Sequence, residues 1–456
     1  MKMKPRLSEL FSLLLVLCVF ENLTPQIEAT QENPLPDIGV VDIAEPEPLG
    51  PWYNSYLWVT ADKIYWIQGD GRRTKVYYTT DIGNSTPNWI YVGETQTGIV
   101  LNDLFVDADE KWVYARFQNW TADWVLQDSG VAVLNLSALD TSFRKVYIDP
   151  PENLSWTPKM SHITQIGNVV YWANYYNFVP PPDGSGIIGN ITVGLNIADV
   201  FVNFTQWEEL HVHAVDYDAN TNRLYFALDG GAGYVDMTTY NLTWVIDGGY
   251  NKRSYAGGFS FFDQNEMFFG SDIGGETFLD RYLANGTYVD RYWIESQSGA
   301  MLFKKVYVYG DKLFIATVNT GGNTDNAGLT VLNLLDGTWK WLINGTWSGG
   351  GIYGFGAVNG YLYFSGYFVN NTKHHLYFIN LTAVPKYDYT FNDGIEIRYL
   401  ARARLSSAKY LPNKLTFTID ALPGKVSTTN VYVGAKGEPT KVLIDNIEQP
   451  LNYNSS

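Results

Sequence analysis

One strand pattern recurs seven times along the chain and limits the folds that the chain can adopt. Each copy is an alternating strand, a tight turn and a second strand centred on a Tyr or a Phe. The central aromatics follow one another at intervals of about 43 to 57 residues, which is a period typical of stacked repeat units. A unit of this kind cannot bury its apolar face alone, so each copy is expected to pack against its neighbours. The seven central aromatics are Tyr65, Tyr114, Tyr171, Tyr225, Phe268, Phe314 and Tyr363.

The turns and the later strands of the repeat lead to a fold prediction. Gly310-Asp311 and Asn359-Gly360 supply residues that tolerate a positive φ, as two-residue hairpins require. Two further short strands follow each pair, most clearly over residues 329–333 and 339–342. Seven four-stranded units packed side by side predict an all-β, seven-bladed β-propeller over residues 51–390. A β-sandwich is the alternative, but it does not explain one unit recurring seven times.

Composition agrees with a β-rich fold and excludes some partners. Aromatic residues make up 16% of the chain, with 33 Tyr and 15 Trp, whereas charged residues make up only 17%. The net charge of −16, without a basic stripe, argues against binding to nucleic acid. Cys18 is the only cysteine, so thiol chemistry and disulfides are not expected in a mature chain. The sequence predicts no metal site and no cofactor.

Several segments resemble blades of known propeller families, including the kelch type by their period. Residues 214–226 are similar to the opening of a YWTD-type or NHL-type blade, and residues 332–341 to the end of a quinoprotein-type repeat. Residues 79–83 partly match the Asp-box of sialidase-like propellers, although Trp89 follows several residues late. The resemblance covers residues 50–390 and implies the propeller fold without implying a function.

The first residues have the layout of a secretory signal peptide. Three basic residues precede an apolar run over residues 10–20, and a polar segment then ends at the small residue Ala29. The apolar run is too short to span a bilayer comfortably, and no second apolar stretch reaches transmembrane length. We therefore predict a signal peptide over residues 1–29 and an extracellular or cell-surface protein. Residues 30–50, rich in Pro and Glu, predict a linker.

Beyond the repeats, residues 391–456 predict a small β-sandwich-like module. Residues 427–442 are similar to C-terminal modules of secreted archaeal surface proteins. The chain ends where a closing strand would begin, so either the sequence is clipped or the module lacks a strand. An open sheet edge would accept a strand from another subunit or a partner, which makes self-association through this module an expectation.

Twelve Asn-x-Ser/Thr sequons follow the predicted signal peptide and favour glycosylation. An Asn- and Thr-rich β-protein also produces sequons by chance, and that alternative stays open. Several of the sequons fall in predicted turns between third and fourth strands, which share one face of a propeller. The sequons are Asn84, Asn119, Asn135, Asn153, Asn190, Asn203, Asn241, Asn285, Asn344, Asn370, Asn380 and Asn454.

The opposite face carries the longer loops, between second and third strands, and is the predicted binding surface. Aromatic side chains beside polar groups suit a sugar ring or a protein partner, so the expected ligand is a glycan or a cell-surface protein. Two sequons, at Asn119 and Asn370, also fall on this face. The alternative is that these loops are only variable surface. The predicted ligand-binding residues are Arg72, Arg73, Trp120, Trp124, Tyr175, Tyr176, Arg253 and Trp347.

No catalytic motif is recognisable, so catalytic residues are unknown. His211 and His213 share a strand face, and the Asx-rich residues 216–222 resemble a calcium loop, but an Asx turn explains the second pattern better. The enzyme alternative is a polysaccharide lyase or glycoside hydrolase with its site at the propeller mouth. It calls for three or more Arg, Tyr or carboxylate side chains that converge on the central channel.

Overall fold

The computed structural model describes most of the predicted propeller. Before residue 38, after residue 382 and at some strand ends, it describes the backbone alone. The described residues are 27–28, 30–31, 38–44, 46, 56–69, 71–138, 141–149, 159–175, 186–204, 212–228, 231–247, 266–270, 278–283, 285–294, 301–309, 312–319, 327–334, 337–345, 351–367, 374–383, 387–390, 396–399, 403–411, 414–421, 429–432, 442–444 and 447–449.

The chain forms an all-β, seven-bladed propeller, as the sequence predicted. Each blade is an antiparallel sheet whose first strand lies nearest the central axis. Blade 1 contains Tyr56–Val59, Ile64–Gly69, Thr74–Thr79 and Ile90–Glu94; blade 2 contains Ile99–Leu101 with Phe105–Val106, then Trp112–Trp120, Leu126–Asn135 and Arg144–Ile148; blade 3 contains Lys159–Ile166, Val169–Tyr175, Ile187–Thr192 and Ile197–Asn203; blade 4 contains Val212–Asp218, Arg223–Leu228, Gly231–Asp236 and Leu242–Asp247.

The remaining blades follow the same plan. In blade 5 the described residues form the second to fourth strands. Over the described residues, no helix is long and apolar enough to cross a membrane, and one short 3-10 helix occurs, Leu381–Ala383. Blade 5 contains Glu266–Gly270, Phe278–Leu283 and Tyr288–Trp293; blade 6 contains Met301–Tyr309, Lys312–Asn319, Ala327–Asn333 and Trp339–Gly345; blade 7 contains Gly351–Val358, Tyr361–Tyr367, His374–Asn380 and, from the other end of the chain, Val40–Ile43.

The fourth strand of blade 7 comes from the stretch that the sequence predicted to be a linker. Val40–Ile43 runs antiparallel to His374–Asn380, with Val40 opposite Ile379. Ile43 is buried against blades 7 and 1, whereas Val41 is exposed. This alternation is what a half-buried strand requires, and residues 30–50 are therefore not a linker throughout. Because this strand completes the last blade, hydrogen bonds along the whole strand close the ring and cover its edge.

The core consists of apolar clusters between neighbouring blades. Seven such clusters occur among the described residues, and each combines residues of two adjacent blades. The cluster that closes the ring packs Tyr363 and Phe378 of blade 7 against Leu57 and Trp66 of blade 1. Each cluster holds one of the seven repeat aromatics, whose exposed fractions lie between 0% and 6%. The prediction that these residues occupy equivalent, buried positions is confirmed.

Tyrosine hydroxyls at three of the repeat positions each connect a blade to the next one. The Tyr363 hydroxyl of blade 7 accepts a hydrogen bond from the Gly83 N–H of blade 1 at 2.6 Å. The Tyr114 hydroxyl of blade 2 donates to Asn196 Oδ1 of blade 3 at 3.3 Å. The Tyr65 hydroxyl of blade 1 donates to Glu110 Oε2, in a turn of blade 2, at 3.5 Å. These links join the ends of the second strands to turns of the neighbouring blade on one face of the propeller.

A register shift recurs between the third and fourth strands of the blades. Blades 1 to 6 each have one, and Val131/Ala132 of blade 2 is an example. A bulge increases the local right-handed twist of a strand pair. The outer strand of each of these blades is therefore twisted relative to the inner ones. The pairing of Val40–Ile43 with blade 7 has no such shift.

Among the described residues the C-terminal region contains seven strands, and two short segments from the beginning of the chain add to its sheets. Thr30–Gln31 pairs with Tyr387–Thr390, and Ile27–Glu28 pairs with Ala403–Leu411. Both added strands therefore come from the same chain as the sheets that they join. Addition of a strand from another subunit stays a prediction. The strands are Tyr387–Thr390, Glu396–Tyr399, Ala403–Leu411, Lys414–Ala421, Thr429–Tyr432, Val442–Ile444 and Ile447–Gln449.

The substitution Tyr363→Phe tests the hydroxyl link that joins blade 7 to blade 1. The ring stays in the core, but the Gly83 N–H loses its acceptor, so we expect the free energy of unfolding to fall by about 1–2 kcal/mol. Equilibrium unfolding in urea measures the change. Tyr171→Phe is the matched control, because the described contact of Tyr171 is a ring contact with Phe201. Equal losses in the two variants would contradict the hydroxyl's role.

The buried tyrosines also predict a loss of stability at alkaline pH. Burial raises the pKa of Tyr114 and of Tyr363 to about 12, and it raises the pKa of Tyr65 further. In the unfolded chain these groups lose their protons at about pH 10, below the pH at which they ionise in the folded protein. Raising the pH above about 10 therefore stabilises the unfolded state relative to the folded one. Stability is therefore complete below pH ~10 and falls between about pH 10 and 12. Urea midpoints measured against pH, together with phenolate absorbance, check this, and a constant midpoint over that range would contradict it.

Candidate functional site

Two loops of neighbouring blades form an exposed aromatic and basic surface, which we call the platform: Arg72, Trp120 and Trp124. Arg72 lies in the loop between the second and third strands of blade 1. In blade 2, half-buried Trp120 ends the second strand and Trp124 lies in the equivalent loop. The backbone links the loops, because Gly98 N–H donates to Arg72 O at 2.7 Å and Trp120 N–H donates to Gly98 O at 2.8 Å. The main chain therefore fixes the spacing of the platform residues.

The blade 2 loop is a tight hairpin turn that places Trp124 in an unfavourable backbone conformation. Thr121 N–H donates to Val125 O, and Trp124 N–H donates back to Thr121 O. Val125 N–H donates to Thr121 Oγ1 at 3.0 Å, and this is the third hydrogen bond that stabilises the turn. Trp124 has a φ of 61°, in the left-handed region that favours glycine. Its side chain is nevertheless 53% exposed, so burial does not compensate for the strain.

Arg72 connects the two loops through its guanidinium group. Its Nη2 donates to Ala122 O at 3.0 Å, and its Cζ lies 5.4 Å from the centre of the Trp124 ring. The Trp120 and Trp124 rings are 6.4 Å apart. A cation over an exposed indole contributes about 0.5–1 kcal/mol. These contacts connect the side chains of the platform, and the Trp124 indole stays exposed.

The structure brings together half of the predicted binding residues. Arg73 lies beside the platform, where its Nε donates to Thr97 Oγ1 at 2.9 Å and its Nη1 lies 3.7 Å from Glu94 Oε1. Tyr175 ends a blade 3 strand, and its side chain lies outside the described residues. The remaining three predictions also fall outside them: Tyr176, Arg253 and Trp347.

The opposite face carries several sequons in one defined turn conformation. The Asn84 Oδ1 accepts the N–H of the Thr two residues ahead at 2.9 Å, and Asn135, Asn285 and Asn380 accept the equivalent N–H at 2.9–3.0 Å. This Asx turn uses the carbonyl oxygen of the asparagine and not Nδ2, the atom that glycosylation modifies. All four residues lie at the end or turn after a third strand, on the face predicted from the sequence.

Asn119, the sequon next to the platform, is held differently. It lies within the second strand of blade 2, and its Nδ2 donates to Asp128 Oδ2 at 2.9 Å. The Thr of the same sequon, Thr121, uses its hydroxyl to accept the Val125 N–H. Both polar groups of this sequon are therefore engaged in the fold of the loop.

Three propeller arginines stabilise blades from within. Arg116 Nη1 donates to Asp149 Oδ1 at 3.0 Å, and both side chains are fully buried. Arg281 pairs with Glu266 at 2.8 Å, also in the interior. Arg291 pairs with a buried aspartate of blade 5 through two hydrogen bonds. These guanidinium groups are committed to ion pairs within their blades, so they do not form the convergent arginine set that a sialidase-like mechanism requires.

The described residues that suggested metal binding have other roles in the structure. Asp218 accepts the Asn220 N–H at 3.0 Å and the Thr221 hydroxyl at 2.7 Å, which makes the Asx-rich segment a turn, as the sequence favoured. His213 is buried, and His211 lies outside the described residues. In the portion of the chain that the structure describes, no three His, Cys, Asp or Glu side chains form a metal-binding group.

Side chains of two blades that are not neighbours lie close together, and the sequence did not predict this contact. Lys305 Nζ of blade 6 lies 5.7 Å from the centre of the Trp58 ring of blade 1. Asp216 of blade 4 and Asp103 of blade 2 both raise the pKa of Lys305 by their charge, while burial, the larger effect, lowers it. Trp58 in turn packs edge-on against Phe105, with the ring centres 4.8 Å apart. Charged side chains of blades 2, 4 and 6 thus act on one another across the ring.

The similarity of this chain to known proteins concerns its fold. No protein-family model and no curated protein sequence matches the chain. Among solved structures, a chain of the mitotic checkpoint complex is similar with a TM-score of 0.48 and 10% identity, over 79% of this chain and 97% of that one. A chain from a study of two prolyl endopeptidases is similar with a TM-score of 0.45 and 13% identity, over 76% of this chain and 54% of that one.

A puromycin-hydrolysing peptidase of Mycobacterium tuberculosis is similar with a TM-score of 0.44 and 10% identity, over 64% of this chain and 45% of that one. This chain therefore spans about half the length of the two peptidase chains. At these identities and TM-scores the similarity carries no activity with it, and the propeller fold rests on the strand topology of this chain.

Proposed function

We propose that this protein is an exported, glycosylated binding protein of the cell surface or extracellular space, whose platform binds a glycan or a cell-surface protein. The observation that carries the proposal is the conformation of Trp124. A bulky residue in the left-handed region costs about 1–3 kcal/mol, and such strain concentrates at functional sites. Here the strained residue presents its indole to solvent beside an arginine and a second tryptophan.

The chemistry of the platform supports a partner with a flat apolar surface and hydrogen-bonding groups. Indole faces pack against the C–H face of a sugar ring or against apolar side chains, and Trp and Arg are the residues most enriched where protein partners bind tightly. Val125, beside the indole, is 59% exposed and extends the apolar area. Because the loops are fixed by backbone hydrogen bonds, little conformational entropy is lost when the platform binds.

The arrangement of sequons supports export and agrees with the platform as the open face. The four Asx-turn sequons lie on the face opposite the platform. Glycans there would shield that side of the propeller and leave the platform side open. The layout of the first 29 residues as a signal peptide is the second argument for export.

Trp124→Gly is expected to abolish binding at the platform without lowering stability. Glycine adopts a φ of 61° without strain, which offsets the lost contact with Arg72, so the free energy of unfolding should not fall. A glycan array and a pull-down from cell-surface extract with the wild-type protein identify the partner. The variant is then compared with the wild type for that partner, and thermal unfolding of both measures stability.

Tyr240→Gly is the matched control for Trp124→Gly. Tyr240 is also an exposed aromatic residue with a positive φ, of 59°, but it lies in a turn between third and fourth strands on the opposite face. The same relief of strain there should leave partner binding unchanged. Full binding by Trp124→Gly, or equal loss of binding in both variants, would show that the platform is not the binding surface.

The turn geometry predicts which sequons carry glycans. We expect occupancy at Asn84, Asn135, Asn285 and Asn380, whose Nδ2 groups are not used by their Asx turns. We expect no glycan at Asn119, because modification would remove an N–H that Asp128 accepts. Mass spectrometry of glycopeptides from the secreted protein measures this occupancy. A glycan at Asn119 together with four unmodified Asx-turn sequons would contradict the prediction.

A further inference from the structure

In three blades the turn between the third and fourth strands closes with the same backbone hydrogen bond, from an N–H to the carbonyl oxygen four residues earlier. The donors are Asn196 in blade 3, Tyr240 in blade 4 and Gly337 in blade 6, at 2.7–3.0 Å. Their φ angles are all positive, at 56°, 59° and 75° respectively. Asparagine and glycine tolerate this conformation, whereas a bulky side chain is strained in it. Of these three turns, the one in blade 4 therefore has a residue that its backbone disfavours.

Packing within the propeller accounts for only part of the choice of tyrosine. The Tyr240 ring meets Phe201 of blade 3 edge-on, with the ring centres 6.2 Å apart, yet Tyr240 is 64% exposed. The turn has other supports, because Asp236 Oδ1 accepts the N–H groups of Thr238 and Thr239, each at 2.9 Å. Tyr240 thus presents an aromatic surface to solvent in spite of backbone strain.

This exposed ring directly precedes a sequon. Asn241 and Thr243, the two residues that define the sequon, are both exposed, so a glycosyltransferase can reach them. The main chain of Asn241 is fixed, because its carbonyl oxygen accepts the Asp236 N–H at 3.0 Å. A sugar attached to Asn241 Nδ2 would therefore start one residue away from the Tyr240 ring, on a backbone that hydrogen bonds hold in place.

We propose that Asn241 carries an N-linked glycan whose first sugar ring packs on the face of Tyr240. The C–H face of a sugar ring is apolar and packs against an aromatic face, while the sugar hydroxyls stay in water. This inference rests on the proposed function in one respect, that the exported chain is glycosylated, and it does not involve the platform.

Attachment of the glycan requires a lipid-linked glycosyl phosphate as donor. A bond forms between Asn241 Nδ2 and C1 of the first sugar, and the bond between C1 and the donor phosphate breaks. The leaving group is the lipid-linked phosphate, and a base of the transferase takes one Nδ2 proton. Docking on Tyr240 then covers the exposed aromatic surface and fixes the direction in which the glycan leaves the turn.

The test measures access to the Tyr240 ring, on the full chain secreted from a host that attaches N-glycans. Peptide mass spectrometry first determines whether Asn241 is glycosylated. Nitration by tetranitromethane, which modifies the ring carbons beside the phenol hydroxyl, is then followed with time at Tyr240. Tyr91, which is 45% exposed on blade 1, serves as the reference in the same protein.

Two variants each remove a single sequon. Thr243→Val removes the one at Asn241 and keeps a β-branched residue in the strand, whereas Ser137→Ala removes the one at Asn135 and is the matched control. Thr243→Val is expected to speed nitration of Tyr240 by about fivefold, the ratio to which a ring contact of about 1 kcal/mol corresponds. Ser137→Ala should leave this rate unchanged, and neither variant should alter nitration of Tyr91.

Thermal unfolding separates docking on the ring from the mere presence of a glycan. Thr243→Val is expected to lower the unfolding midpoint by about 1–3 °C in the wild-type background. It should have no effect in the Tyr240→Asn background, where the turn has the residue that blade 3 uses and no aromatic ring remains. Equal losses in the two backgrounds would overturn the inference.

The outcomes also distinguish this inference from the proposed function. Glycans at other sequons but none at Asn241, or a glycan at Asn241 that leaves nitration of Tyr240 unchanged, would overturn the inference alone. A secreted protein without any glycan would overturn both the inference and the proposed glycosylation. Binding of the platform's partner is expected to be unchanged in Thr243→Val, because this turn lies on the opposite face.

Discussion

Burial of apolar side chains between neighbouring sheets is the interaction on which the ring depends. A single blade is a small twisted sheet with two apolar faces, and it can cover each face only with another blade. Each repeat aromatic fills one of these interfaces, where burial of a Tyr or Phe side chain contributes roughly 2 kcal/mol. Because every blade shares its two interfaces with its neighbours, opening the ring at one junction would expose two apolar faces.

Two further interactions close the ring at the junction of blades 7 and 1. The strand Val40–Ile43 completes the last blade, and it also places Ile43 in the core that blades 7 and 1 share. The hydroxyl of Tyr363 then holds the turn of blade 1 at Gly83. A backbone ladder, a core and a side-chain hydrogen bond thus all act across the junction between the first and last blades.

A rigid ring presents its loops at fixed spacing, and this is what makes a surface such as the platform possible. Arg72 and Trp124 come from different blades, yet backbone hydrogen bonds through Gly98 determine their separation. The contact of Lys305 with Trp58 depends on the ring more strongly, because the two residues are far apart in sequence and belong to blades that are not neighbours. Strain at Trp124 is tolerated since the ring's stability is distributed over many interfaces.

Much of the fold was predictable from the sequence because its signals are local. Strand alternation, turn residues and one aromatic per repeat are properties of short segments, and they predicted seven blades and the burial of residues such as Tyr114 and Phe314. Loop position within the repeat likewise placed Arg72 and Trp124 on one face. The sequence did not predict the strand Val40–Ile43. Four residues in a Pro- and Glu-rich stretch form a strand only when the edge of another strand, here His374–Asn380, is available for pairing. The contact of Lys305 with Trp58 was missed for a related reason: neither residue belongs to a motif, and blades 6 and 1 face each other only once seven sheets have closed into a ring.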